Sequence, residues 1–439
     1  MTSLGPDFLW GTATSAHQVE GGNVHNDWWL FEERYHRSGD ACAFTEHFRD
    51  DLDHAVALGT NAFRFSLEWS RIEPAPGEHA ADAAEYYDAL IDACLERGLR
   101  PMLTLVQFTL PQWARAAGGW RSPETREAFR RHVRWIAERY GDRVDLFVTF
   151  NEPNVLANAG YVAGLFPPGQ RLRFDLADRC LYGILRAHAD AYEILHEVLG
   201  DPCVGVSPHF VRWTPGNPIV QRLTEPFNWA FLDALQTGEV RLPTLRRDEP
   251  RLRGTFDFVG VNHFMTQPAT FRGALQFAGL VGPPEDVLAS DMGWPVDADG
   301  LQAILVEVSR RYRKPIHVTE NGVADALDAL RPDYLVAAIR AVERAVVEGA
   351  DVRGYFHWSL LDNFEWHEGF APRFGLLAVD YQTQRRTRRP SFHTYQQLIE
   401  DARKPKSQEP KAKSQKPKAN GQRPTANSQQ PEAGNVRTA

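Results

Sequence analysis

Cysteine is scarce and unpatterned in this chain: four residues among 439, Cys42, Cys94, Cys180 and Cys203, with no CxxC spacing. Each lies in an apolar or helical context, which argues against zinc ligation or a disulfide framework and for buried thiols in a reducing compartment. A basic excess is missing too. The formal net charge is −8, so neither a nucleic-acid surface nor attraction to an anionic membrane is expected. No uninterrupted apolar run of about 18 residues occurs, which leaves no membrane-spanning helix. Met1 to Gly11 hold no basic segment followed by a long apolar one, the pattern expected of a cytoplasmic chain. His209, His263 and His317 are scattered over different apolar runs and read as strand-end or buried polar residues. With no His/Asp/Glu cluster at ligand spacing, no metal or other cofactor is expected, and activity should be indifferent to a chelator.

What is present is apolar and aromatic: 43% of the residues are hydrophobic and 11% are aromatic, ample for a large core. Length alone suggests about three domains, but a barrel with long insertions uses as many residues as one unit. Apolar runs bounded by Gly or Pro alternate with segments of helical period, the βαβα pattern of a parallel sheet under helices. Eight runs read as strands, starting at Phe8, Ala62, Pro101, Phe147, Cys203, Phe258, Ile316 and Gly354, the number that closes a single (β/α)8 TIM barrel with long βα loops. The helices are better marked. Asp82 to Arg97 carries an apolar stripe of Tyr86, Leu90, Ile91, Ala93 and Cys94, with Gly98 past its end. Ser122-Pro123-Glu124 opens a second helix that runs to Tyr140, and Asp333 to Glu348 before Gly349 reads as a third.

The barrel is assigned to residues 1–401 and a tail to 402–439. From Lys406 a seven-residue unit recurs, to Ala412, Ala419, Ala426 and Ala433, each copy with Gln third, Pro fifth and Ala last. The Pro in every unit forbids a helix and no apolar pair repeats, so a disordered, solvated extension is expected in place of a coiled coil. The tail carries a charge of +7, which leaves −15 on the rest; a weak tether to an acidic partner is the alternative to a passive extension.

Two stretches share one design. Val318-Thr319-Glu320-Asn321-Gly322 and Val148-Thr149-Phe150-Asn151-Glu152-Pro153 each end a buried strand on a glutamate. An isolated strand-end Glu is ordinarily an ion-pair partner. Two, on the fourth and seventh strands of a parallel barrel, face the same mouth at the carboxyl ends of the strands. A pair of carboxyl groups on one cavity is what glycoside hydrolysis requires, one to attack or activate water and one to protonate the leaving oxygen. Arg64, at the tip of Phe63-Arg64-Phe65-Ser66, is placed to keep Glu320 ionised. Trp358, Trp366 and Phe374 offer flat faces to a sugar ring, and Gln18, Asn151 and Glu365 offer partners to its hydroxyls.

These pieces resemble the family 1 glycoside hydrolases, the group of β-glucosidases and β-galactosidases. The likeness is carried by Phe8-Leu9-Trp10-Gly11-Thr12-Ala13-Thr14-Ser15-Ala16-His17-Gln18, Phe63-Arg64-Phe65-Ser66-Leu67-Glu68-Trp69-Ser70-Arg71-Ile72, Thr149-Phe150-Asn151-Glu152-Pro153, Thr319-Glu320-Asn321-Gly322 and Tyr355-Phe356-His357-Trp358 through Glu365-Trp366. The resemblance implies Glu152 as acid/base and Glu320 as nucleophile of a two-step retaining reaction. It implies that Gln18, Asn151, Glu365 and Trp366 surround the sugar, with Trp358 beneath it. Members acting on 6-phosphosugars carry Ser and Lys near Glu365 and Trp366; their absence here implies an unphosphorylated β-linked substrate, glucoside-like, with galactosides and fucosides as further candidates.

Two departures stand out. Where the family has His before a Leu-Pro motif after the third strand, this chain has Gln107, which still donates and accepts, so it is expected on a sugar hydroxyl with altered preference. Where the family has Asn-Tyr-Tyr after the sixth strand, this chain has Asn262-His263-Phe264, and Phe264 cannot make the hydrogen bond that the second Tyr gives the nucleophile. A slower or more selective enzyme is expected unless His263 or water supplies that donor. A transglycosidase using the same site, a non-catalytic carbohydrate-binding barrel and, more distantly, a metal-dependent barrel enzyme are the competing readings. The small-molecule β-glycoside is the expected partner; glycone, aglycone and oligomeric state are not readable from the residues.

Overall fold

The structure, a computed structural model, describes residues 4–277, 281–283 and 287–404. Eight parallel strands close into a barrel: β1 (Leu9–Ala13), β2 (Ala62–Ser66), β3 (Arg100–Gln107), β4 (Leu146–Asn151), β5 (Cys203–Ser207), β6 (Phe258–Asn262), β7 (Ile316–Asn321) and β8 (Val352–Trp358), each bonded to its sequence neighbours and β8 to β1. All eight expected runs are barrel strands. Each is followed by a helix on the outside: α1 (Phe44–Ala57), α2 (Ala81–Glu96), α3 (Pro123–Tyr140), α4 (Phe174–Leu199), α5 (Pro218–Thr237), α6 (Asp299–Tyr312), α7 (Arg331–Val347) and α8 (Pro390–Arg403).

Local sequence explains where these helices begin and end. Ser122 caps α3 by accepting from the backbone N–H groups of Glu124 and Thr125, with Pro123 in the first turn. Past α2, Gly98 takes φ +70°, a left-handed turn that costs a side chain. On α2 the residue driven fully into the core is Tyr87, one position beyond the expected Tyr86, because the Tyr87 hydroxyl reaches Glu20 at 2.8 Å. α7 starts two residues before the expected Asp333, since Pro332 fits its first turn.

Two apolar layers position the mouth. One lies between strands and helices, where Phe63, Leu103, Phe147, Val259 and Val318 meet the buried helix faces. The other fills the barrel itself with Leu9, Met102, Leu146, Val148, Phe258 and Phe356. Gly11 belongs to that lining; a Cβ there would lie 2.3 Å from the Phe356 ring. Cys42, Cys94 and Cys180 are buried free thiols, but Cys203 is only half-buried because it opens β5 at the bottom rim. No helix among the described residues is long and apolar enough to cross a membrane. The described residues form one compact unit up to Arg403, where α8 ends; the repeats from Lys406 onward lie outside the described residues.

Candidate active site

The mouth of the barrel is polar because two strands break their alternation at the tip. In β4, Thr149 turns out to bond His188 of α4 at 2.6 Å, and Phe150 also turns out, its ring 4.9 Å from that of Trp120. With two consecutive residues facing outward and the register with β5 shifted between Val148 and Asn151, Asn151 turns inward and Glu152 follows. β7 does the reverse: its register with β6 shifts between Val318 and Glu320, so Thr319 and Glu320 both face the mouth. A one-residue slip moves a side chain to the other face, and these irregularities re-aim the tip residues. Glu152 itself sits in the left-handed region (φ 45°, ψ 55°) as the cap before Pro153, a strained backbone of the kind that persists where surrounding contacts over-determine it.

The two glutamates are joined through one buried network. Arg64, fully buried, donates from Nε to Thr104 Oγ1 (3.1 Å), from Nη1 to Glu320 Oε1 (2.5 Å) and Thr319 O (3.0 Å), and from Nη2 to Asn151 Oδ1 (2.7 Å). Asn262 Nδ2 donates to Asn151 Oδ1 (2.9 Å) and to Glu152 Oε1 (3.0 Å), while Asn262 Oδ1 accepts from Thr319 Oγ1 (2.7 Å). Gln107 Nε2 donates to Glu320 Oε1 at 3.1 Å, and His209 Nδ1 lies 3.0 Å from Glu152 Oε1. The planar guanidinium suits this junction because its fixed fork serves several acceptors at once.

Charge is crowded here. Burial pushes the Glu320 carboxyl up to about 7, and Glu152 adds to the rise while Arg64 and Gln107 oppose it. Arg64 therefore stands where it was expected, yet burial outweighs it. Glu365, partly open to the pocket, is lifted to about 8 by burial and then by Glu320 and Glu152, with Gln18 pulling the other way. Gln18 Nε2 is shared among Glu365 Oε2 (3.1 Å), Phe364 O (2.9 Å) and Asn363 Oδ1 (3.0 Å).

Around this centre Trp358 and Phe374 are buried with the lining layer, and Phe264 packs at its edge. Trp366 stacks on His17 at 5.7 Å and leans on Phe108 at 5.1 Å. Among the described residues, the Oε1 of Gln18, the Oε1 of Gln107 and the Nδ2 of Asn151 are buried without a hydrogen-bond partner. Buried amide atoms without a protein partner are of the kind that hydroxyl groups of a ligand satisfy, since leaving them dry and unpaired is costly. No group of three or more His, Cys, Asp or Glu among the described residues is arranged to hold a metal ion.

Two placements differ from what the residue types suggested. Gln107 reaches Glu320 and not only the space for a sugar. His263 does not stand in for the missing tyrosine: its Nδ1 is spent on Phe210 O at 2.8 Å, and only its backbone N–H meets Glu320, at the carbonyl. The residue overlooked as a site member is His209. Its position just past β5, at the same level as Glu152 past β4, was the available signal.

The profile of glycosyl hydrolase family 1 matches residues 2–404. Beta-glucosidase A of Thermotoga maritima is 32% identical over 434 residues, covering 90% of this chain and 97% of its own. The beta-galactosidase of Saccharolobus solfataricus is 35% identical and covers 79% and 81%. Among solved structures, the beta-glycosidase from Pyrococcus horikoshii superimposes with a TM-score of 0.83 at 37% identity, covering 92% of this chain and 96% of that one. A closed barrel with paired glutamates at the tips of β4 and β7, matched along almost its whole body, places the chain in glycosyl hydrolase family 1, and it is an enzyme of that family.

Proposed function

We propose that the enzyme hydrolyses unphosphorylated β-linked O-glycosides with retention of configuration, glucosides first and galactosides or fucosides as further substrates. Glu320 attacks the anomeric carbon while Glu152 gives its proton to the departing oxygen; a glycosyl ester forms and the aglycone leaves as an alcohol. Glu152 then takes a proton from water, which attacks the same carbon and expels the Glu320 carboxylate. The carrying observation is the division of partners. Glu320 receives a guanidinium and an amide on Oε1, and among the described residues nothing donates to Oε2. That oxygen is the one free to form the bond. Glu152 instead meets an amide and an imidazole, groups compatible with holding and releasing a proton.

Selection against phosphosugars rests on what surrounds Glu365. Burial lifts its carboxyl to about 8, which weakens its own charge as the barrier near neutral pH. A phosphate would also meet the negative charge of Glu320 and Glu152, and among the described residues no Arg or Lys is bonded to Glu365. The buried thiols suit a cytoplasmic setting.

Glu320→Gly is expected to lose at least about 10³-fold in turnover of a 2,4-dinitrophenyl β-glucoside, and azide should restore it with α-glucosyl azide as product. Unchanged activity, or a β-azide product, would sink the assignment. A panel of aryl β-glucoside, galactoside, fucoside and mannoside then ranks the glycone.

A further inference from the structure

We propose that Gln107 is the positioning donor of the nucleophile, in a site where Phe264 offers no hydrogen bond, and that substrate binding at the other end of the same amide fixes this donor on Glu320. The proposal rests on Glu320 being the nucleophile. Phe264 offers no hydrogen bond, and its ring is held by His209 (5.9 Å, nearly parallel), Phe374 (5.9 Å) and Trp294 (6.0 Å). Gln107 is the last residue of β3, paired in register with Asn151, so the backbone delivers it beside the network described above. The following residue, Phe108, turns away in the left-handed region (φ 68°), and its ring packs on Phe166 and Trp366.

The orientation of the amide follows from charge. Turning the oxygen toward Glu320 would set two acceptors against each other whenever the carboxyl is ionised, so Nε2 faces Oε1, 3.1 Å away. The amide oxygen is then left buried and without a partner among the described residues. An acceptor in that state is completed by a donor from the ligand, and a sugar hydroxyl is the donor available in a glycoside. Binding and nucleophile alignment are thereby tied to one side chain: a hydroxyl on Oε1 fixes the amide plane and with it the N–H on Glu320. Both protein donors converge on Oε1, so the pair also sets which oxygen attacks.

The test uses kcat/KM against pH, since a donor to the ionised nucleophile lowers the pH at which that group loses its proton. Gln107→Met keeps the side-chain length and removes both polar atoms. It should cost roughly tenfold or more in kcat/KM and move the acid limb upward by roughly 0.5 to 1 pH unit. Adding Phe264→Tyr to that variant should return most of the limb shift, whereas Phe264→Tyr alone should change it little because the place is taken. Gln107→His, a second donor of similar reach, should keep the limb near wild type and guards against a Met variant that folds poorly. A rise in KM with the limb unmoved in Gln107→Met would overturn the proposal, as would a limb that Phe264→Tyr shifts equally in both backgrounds. Azide rescue of Glu320→Gly separates the two failures: with rescue intact, only the role of Gln107 falls.

Discussion

The carboxyl of Glu365 shows how a single side chain is set by its neighbours. Its folded value near 8 lies above that of the unfolded chain, close to 4.3. A group raised in this way contributes its full share of stability below about pH 4 and loses it as pH climbs toward 8, because the folded state resists giving up the proton. Glu365→Gln keeps an acceptor for Gln18 and removes the charge. The variant should melt with wild type near pH 4 and about 2 °C or more above it at pH 8 to 9, while kcat/KM falls at least about tenfold. Identical melting at both ends of that range would show the acid to be ionised in the folded protein at neutral pH. The identity of the glutamates was legible because each closes a buried strand. The bonding of Gln107 was not, since which neighbour an amide meets depends on side chains from β2, β4 and β7 that arrive from far along the chain.

Elements carry the site by their ends. β4 and β7 were readable as strands from their apolar runs, but their slips were not, because alternation is broken by contacts with α3, α4 and β6 that a local pattern does not contain. The helix caps are the opposite case: Ser122 and Gly98 act on their own neighbours and were readable directly. Ser122→Ala should cost about 1 kcal/mol with kcat unchanged, seen as an earlier urea midpoint. Gly183→Ala should cost much more. Gly183 brings α4 against the segment Gly119–Arg121, and a Cβ would fall 1.7 Å from the Trp120 carbonyl oxygen. A Gly183→Ala protein as stable as Ser122→Ala would mean that α4 is free to slide there.

At the scale of the molecule, the body closes on itself with α8, whose Tyr395 hydroxyl reaches the Gly11 carbonyl of β1 at 2.9 Å. Removing everything after Lys404 takes away no described element, so kcat/KM and melting temperature should stay at the full-length values. A clear drop in either would give the basic repeats a role in the folded body. Eight strands, their order and the two glutamates were determined by the sequence, because period and strand-end residues act over short stretches and the barrel rule converts them into a shared mouth. The tertiary structure alone decided which oxygen of Glu320 is held, that His209 stands beside Glu152, and that burial raises the Glu365 carboxyl. Those outcomes come from burial and from charges brought together across the barrel, and neither quantity is a property of any one segment.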